Sequence, residues 1–302
     1  MRSNGETATH ANHNDLEMAN KVATRRCLIN TVSLMSGFSI HTFNQHKSKC
    51  RPTGIFVTKK HDYVVTDYTN KCVKVFSKLG QLKLEFGKKH LKRPWNAIVL
   101  PNGNIVVSDP GTPDVKVFDR QGEFVKSFDY ANTLQEPYGL AMSRQGEILV
   151  ADKGANCIYV HSTDGFLLHC VRPTGGATLH WPQYIAVDAN DNIVVSDYIS
   201  HSVVCLTRQG NRVFSYGGRA GVGEGQLMCP QGVCVDSYGN ILVADSANER
   251  IQLLSADGQF QKVLVSSQQG LESPEAVCLD NDEYLLVTDG RSGEVKTYNY
   301  LS

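Results

Sequence analysis

Residues 230–260 read PQGVCVDSYGNILVADSANERIQLLSADGQF. A short apolar segment follows Pro230, and the polar DSYGN turn reverses the chain. The next run, Ile241-Leu242-Val243, is unbroken, too short for a helix and ends at Asp245. A run of that kind is a strand buried on both faces, so neighbouring sheets must cover it. A third strand and an A-D-G turn lead to a fourth. The same register recurs in RPTGIFVTKKHDYVVTD, RPWNAIVLPNGNIVVSD, EPYGLAMSRQGEILVAD, WPQYIAVDANDNIVVSD and SPEAVCLDNDEYLLVTD. In every copy a proline (52, 94, 137, 182, 230, 274) precedes an aspartate by fifteen residues (Asp67, Asp109, Asp152, Asp197, Asp245, Asp289). A glycine follows by thirteen more in five copies, at 80, 122, 165, 210 and 258.

Four-stranded units at this period, each needing neighbours on both faces, describe the blades of an all-β six-bladed β-propeller. The repeats lie near 51–87, 93–130, 136–173, 181–218, 229–266 and 273–302. The sixth has no fourth strand of its own within the sequence. GFSIHTF at 37–43 is the preferred closing strand, expected to pair around Val295–Tyr300, with CLINTVSL at 27–34 as the alternative. The propeller is therefore assigned to 27–302 and residues 1–26 to a polar, disordered tail.

The chain has 302 residues, 41% hydrophobic and 20% charged, which fits one large all-β domain. It contains no apolar run of membrane-span length, and MRSNGETATH lacks the apolar segment of a signal peptide, so a soluble, cytoplasmic protein is expected. Nine cysteines with no C-x-x-C pair point to reduced thiols rather than zinc or a disulfide framework. A formal charge of zero excludes a uniformly basic nucleic-acid binder but permits a polarised surface.

The proline-to-aspartate unit, with G-x-V-x-x-G-N-I-x-V-A-D and the strand after it, resembles the NHL repeat over residues 37 to 302. The arrangement looks like the C-terminal domain of TRIM-NHL proteins, the Brat-like tripartite-motif group. That resemblance implies a propeller that recruits RNA or protein, with any RING ubiquitin-ligase activity in a separate domain. Other six-bladed propellers are lactonases and a zinc lyase whose metals sit in the central channel. Here the innermost segments GIFV, AIVL, GLAM, IAVD, GVCV and AVCL hold no histidine. No metal, cofactor or catalytic residue is assigned, and the chain is read as a non-enzyme.

The six aspartates are read as structural residues that end the second strand and accept N–H groups from the turn that follows. Candidate ligand contacts lie on the face where the proline segments begin. Two neighbouring loops there carry Lys47, Lys49 and Arg51, and Lys88, Lys89, Lys92 and Arg93. Trp95, Asn96, Tyr138, Trp181 and Tyr184 flank the prolines, while Tyr68, Lys153, Tyr198 and His201 follow the aspartates. Cations that track phosphates beside rings on which bases stack make a single-strand platform. Single-stranded RNA is the expected partner, in post-transcriptional regulation. The alternative is protein recognition, with the propeller recruiting substrates or cargo to a ubiquitin ligase.

Overall fold

A computed structural model describes residues 34–39, 50–128 and 133–299. They form six four-stranded antiparallel sheets, and the innermost strand of each packs against its neighbours around a ring. The innermost strands are Pro52–Val57, Ala97–Val99, Pro137–Met142, Pro182–Val187, Pro230–Val235 and Pro274–Leu279. The second strands, Tyr63–Asp67, Ile105–Asp109, Ile148–Asp152, Ile193–Asp197, Ile241–Asp245 and Tyr284–Asp289, are buried almost throughout. The apolar runs thus lie where both sheet faces are covered, and the protein is a six-bladed β-propeller.

Two kinds of glycine set the spacing. Gly165 sits in the hairpin between the third and fourth strands of blade three at φ 89°, and a Cβ there would lie 2.4 Å from the Cβ of Phe128 on blade two. Gly139 on the channel wall would place a Cβ 2.7 Å from the Tyr184 Cα of the next blade. The first glycine supplies a left-handed turn, and the second lets adjacent inner strands approach.

In blade six, Glu294–Asn299 pairs antiparallel with Leu34–Ser39, with Gly37 opposite Lys296. This strand starts three residues before the expected GFSIHTF segment, and residues 40–43 lie outside those described. Gly37 therefore falls inside the strand rather than at its start. The tail 1–26, Lys47 and Lys49 also lie outside the described residues.

The third strands depart from simple alternation. Lys74, Lys116 and Lys296 occupy the apolar-polar-apolar pattern, yet they are buried beneath the loop face. Lys74 Nζ lies 2.9 Å from Asp67 Oδ2, and Lys296 Nζ lies 2.8 Å from Asp289 Oδ2. Their burial is bearable because the charge is paired within the blade.

Candidate functional site: a clamped loop face over the channel

Antiparallel order puts the loops leading into each proline and the turns after each aspartate at one end of the ring. The aspartates tie the two together. Asp109 accepts from the backbone N–H groups of Lys92 (2.7 Å) and Arg93 (2.8 Å) in the incoming loop, and of Gly111 (3.0 Å) in its own turn. Asp152 does the same for Gln135, Glu136 and Ala155, Asp197 for His180, Trp181 and Ser200, and Asp289 for Glu272, Ser273 and Ser292. Asp67 holds Arg51 and Asn70, and Asp245 holds Met228. Bonds from the incoming loop extend the sequence reading, which considered only the following turn.

A second repeated bond fixes which side chains meet. The N–H after the aspartate donates to the carbonyl of the residue before the proline: Tyr68 to Arg51, Lys153 to Glu136, Tyr198 to Trp181, and Gly290 to Ser273. Side chains at these two positions therefore stand side by side. The Arg51 guanidinium lies 5.4 Å from the Tyr68 ring centre, Lys153 pairs with Glu136 at 2.8 Å, and Trp181 packs edge-on against Tyr198 at 5.1 Å. Blade two differs because Pro110 has no N–H to give. There the Arg93 side chain donates to the Pro110 carbonyl at 2.7 Å.

The residue after each proline, namely Thr53, Trp95, Tyr138, Gln183, Gln231 and Glu275, rings the channel mouth. Trp95 packs against Tyr68, Tyr138 and Tyr184 with ring centres 6.0, 4.7 and 6.0 Å apart. The Tyr184 hydroxyl donates to the Thr53 carbonyl on the opposite blade. On the other half of the ring, Gln183 donates to Gln231 at 2.9 Å. Glu275 is buried and held by Arg51, with contacts of 2.8 and 2.7 Å to one carboxylate oxygen. Burial pushes the Glu275 carboxyl up, and the Arg51 charge only partly offsets this. Burial, with Glu275 nearby, holds the Tyr184 phenol well above its usual range. The Tyr198 phenol is pushed up to about 12 by burial, with Cys229 and Glu275 adding to it.

These positions sort the candidate residues into three groups. Trp95, Asn96 and Tyr184 are 5%, 9% and 3% exposed, so they plug the channel mouth and present no open ring or amide for a base to meet. That corrects the reading of these three as contact residues; a large side chain next to a proline at the channel wall turns inward, where the inner strands converge. Tyr68, Tyr138, Trp181 and Tyr198 are half-buried, with part of each ring reaching the surface. Lys153 lies 3.9 Å from the Trp181 ring centre and 5.2 Å from that of Tyr138. His201 is turned to the backbone, its Nδ1 accepting from the Cys229 N–H at 3.1 Å.

The basic edge divides as well. Arg51 and Lys153 are spoken for by Glu275 and Glu136, and Lys88 pairs with Glu85. Lys89, Lys92 and Arg93 are exposed, and among the described residues no carboxylate pairs with them. Glu275, Gln183 and Gln231 were missed as part of the channel mouth, although their shared place after the proline marks them in the repeat. Among the described residues, no group of three or more His, Cys, Asp or Glu side chains is placed to hold a metal ion. No helix among them is long and apolar enough to cross a membrane.

Six four-stranded blades about a plugged channel, with every aspartate-clamped loop at one end, make this chain a six-bladed β-propeller. Residues 227–252 match the family model described as the NHL repeat. The chain is similar to protein brain tumor of Drosophila melanogaster, 29% identical over 39% of this chain and 12% of that protein. It is also similar to the human E3 ubiquitin-protein ligase NHLRC1, 27% identical over 51% of this chain and 43% of that one. The chain thus spans less than half the length of these curated relatives. Virginiamycin B lyase from Staphylococcus aureus superposes with a TM-score of 0.65, covering 89% of this chain and 99% of that one. At 12% identity that likeness is one of fold.

Proposed function

We propose that the clamped loop face is an interaction surface for single-stranded RNA, serving post-transcriptional regulation in the cytoplasm. The observation that carries this reading is the run Lys89, Lys92 and Arg93, exposed and without a carboxylate partner among the described residues, at the edge of a surface bearing partly open rings. Phosphates would meet the three cations. Bases would stack on Tyr138, Trp181 and Tyr198, a contact that is tolerant of sequence. The similarity to protein brain tumor and to NHLRC1 supports a protein or RNA interaction module. Fluorescence anisotropy of the full chain with labelled single-stranded RNA, over a salt series, tests the reading. Binding that weakens steeply with salt is expected; no binding at low salt removes RNA from consideration.

A second reading is favoured by the far side of the same face. Ile199, Val222 and Met228, in the loops of blades four and five, are 52%, 71% and 40% exposed. Apolar side chains grouped away from the cations suit a protein partner, and one relative is named a ubiquitin-protein ligase. Recruitment of a protein to such an enzyme is therefore the alternative, and the failed RNA titration would select it.

A further inference from the structure

Blade three departs from the other five on the clamped face. Of the six residues that precede the prolines only Glu136 is acidic, and of the six that follow the aspartates only Lys153 is charged. The Lys153 N–H is tied to the Glu136 carbonyl at 2.9 Å, and Asp152 holds the Glu136 N–H at 3.1 Å. Both backbones are thus fixed, while both side chains reach solvent. The Lys153 ammonium lies 2.8 Å from the Glu136 carboxylate, 3.9 Å from the ring centre of Trp181 on blade four and 5.2 Å from that of Tyr138. At 3.9 Å from its centre the ammonium stands over the face of the indole, since an approach in the ring plane is stopped farther out by the ring's own edge. A base cannot stack on that face of Trp181 while Lys153 is there.

We propose that Glu136 and Lys153 form a latch over Trp181, which single-stranded RNA opens when a phosphate draws the ammonium off the ring and a base takes its place. The latch rests on the RNA reading above and adds a step to it, tying the phosphate contact to the stacking contact. The Trp181 indole N–H is buried, so the ring presents carbon to the surface and stacking is what it can contribute.

The contacts on the two sides of the exchange match. An ion pair and a cation–π contact that both reach solvent are weak against water, so the closed latch is readily given up. In the open form the ammonium meets a phosphate and the indole meets a base. Glu136 has no part in the open form, because a carboxylate repels phosphates. Lys153 is its only ion-pair partner among the described residues, so its contribution on this face is to hold the lysine over the ring in the free protein.

The test is a double-mutant cycle on the full chain, with Glu136→Gln, Lys153→Met and the two combined. Anisotropy titrations with a fluorescein-labelled single-stranded RNA of random sequence are run over a salt series, and thermal melts check that each variant is folded. Glu136→Gln removes both the repulsion of a carboxylate and the tether on Lys153, whereas in the Lys153→Met background only the repulsion is left to remove. The gain in affinity from Glu136→Gln should therefore be about threefold larger when Lys153 is present. Lys153→Met should also lower the salt slope by about 0.7, the share of one phosphate contact. Equal gains in the two backgrounds, or an unchanged slope in Lys153→Met, overturn the latch and leave RNA binding standing. No binding by any of the four proteins at low salt overturns the RNA reading, and the latch with it.

Discussion

The Tyr184 hydroxyl of blade four donates a hydrogen bond to the Thr53 carbonyl of blade one, which faces it across the channel. Thr53 in turn bonds through its side chain to the Pro94 carbonyl of blade two at 3.1 Å. One buried phenol therefore links two opposite blades, and a threonine extends the link to a third. Such a bridge braces the channel mouth and explains why a large ring fills a position that is glycine or alanine on four of the other blades.

Removing only the hydroxyl, in Tyr184→Phe, leaves the ring packed but strips the buried Thr53 carbonyl of a donor. A loss of about 1–3 kcal/mol is expected. Tyr184→Ala also empties the plug and should cost about 3–5 kcal/mol. Urea denaturation of both variants measures this. A Tyr184→Phe protein as stable as the parent would show that the bridge is not a brace.

The buried Asp67–Lys74 and Asp289–Lys296 pairs give a pH dependence with a definite sign. Burial raises each carboxyl, but hydrogen bonds from the lysine and nearby donors outweigh it, leaving both below the ordinary value of 3.8. A depressed carboxyl contributes stability above its unfolded value, and that contribution is lost as pH falls through the lower, folded value. Melting temperature should therefore begin to drop near pH 4 and fall further below it. In Lys74→Met the carboxylate stays buried without its cation, and a loss of about 3 kcal/mol is expected at neutral pH. The same substitution should flatten the acid response, as read from thermal melts between pH 2 and 7.

Pairing of Leu34–Ser39 with Glu294–Asn299 makes the sixth sheet depend on a strand remote in sequence. Deleting residues 34–39 should expose the third-strand edge of blade six and lower the melting temperature of the whole ring in one transition. Calorimetry distinguishes this from a local effect. Two separated transitions, or an unchanged melt, would mean the strand is dispensable.

The architecture was legible because burial on both faces writes itself as apolar runs, and hairpins write themselves as glycines at fixed spacing. The aspartates were legible in position but not in reach. Nothing local to Asp109 announces that it holds Lys92 and Arg93, which precede it by seventeen and sixteen residues. The inward turn of Trp95 and Tyr184 was hidden for a related reason. Proximity to a surface loop is a property of sequence, whereas convergence at a channel is a property of the closed ring. Burial of Lys74 was not legible either, since nothing in Val-Lys-Val announces that Asp67 lies 2.9 Å from its ammonium group.

If RNA lies on the clamped face, its phosphate and base anchors should fail in different ways. Lys92 and Arg93 are mounted on Asp109 and make no carboxylate pairs among the described residues, so their charge is available to phosphates. Replacing both with alanine should weaken all single-stranded RNAs alike. It should also flatten the dependence of affinity on salt by about 0.7 for each phosphate that is no longer neutralised. Trp181 is partly exposed and packs on Lys153 and Tyr198. Trp181→Ala should cost about 1–3 kcal/mol of binding while keeping most of the salt slope. Trp95→Ala is a poor substitute, since that ring supports the plug and its removal would disturb the channel mouth. Anisotropy titrations at several salt concentrations give both quantities for each variant. Equal slopes in the parent and the Lys92→Ala/Arg93→Ala protein would remove the phosphate role from blade two. An unaltered affinity in Trp181→Ala would remove the stacking role from blade four.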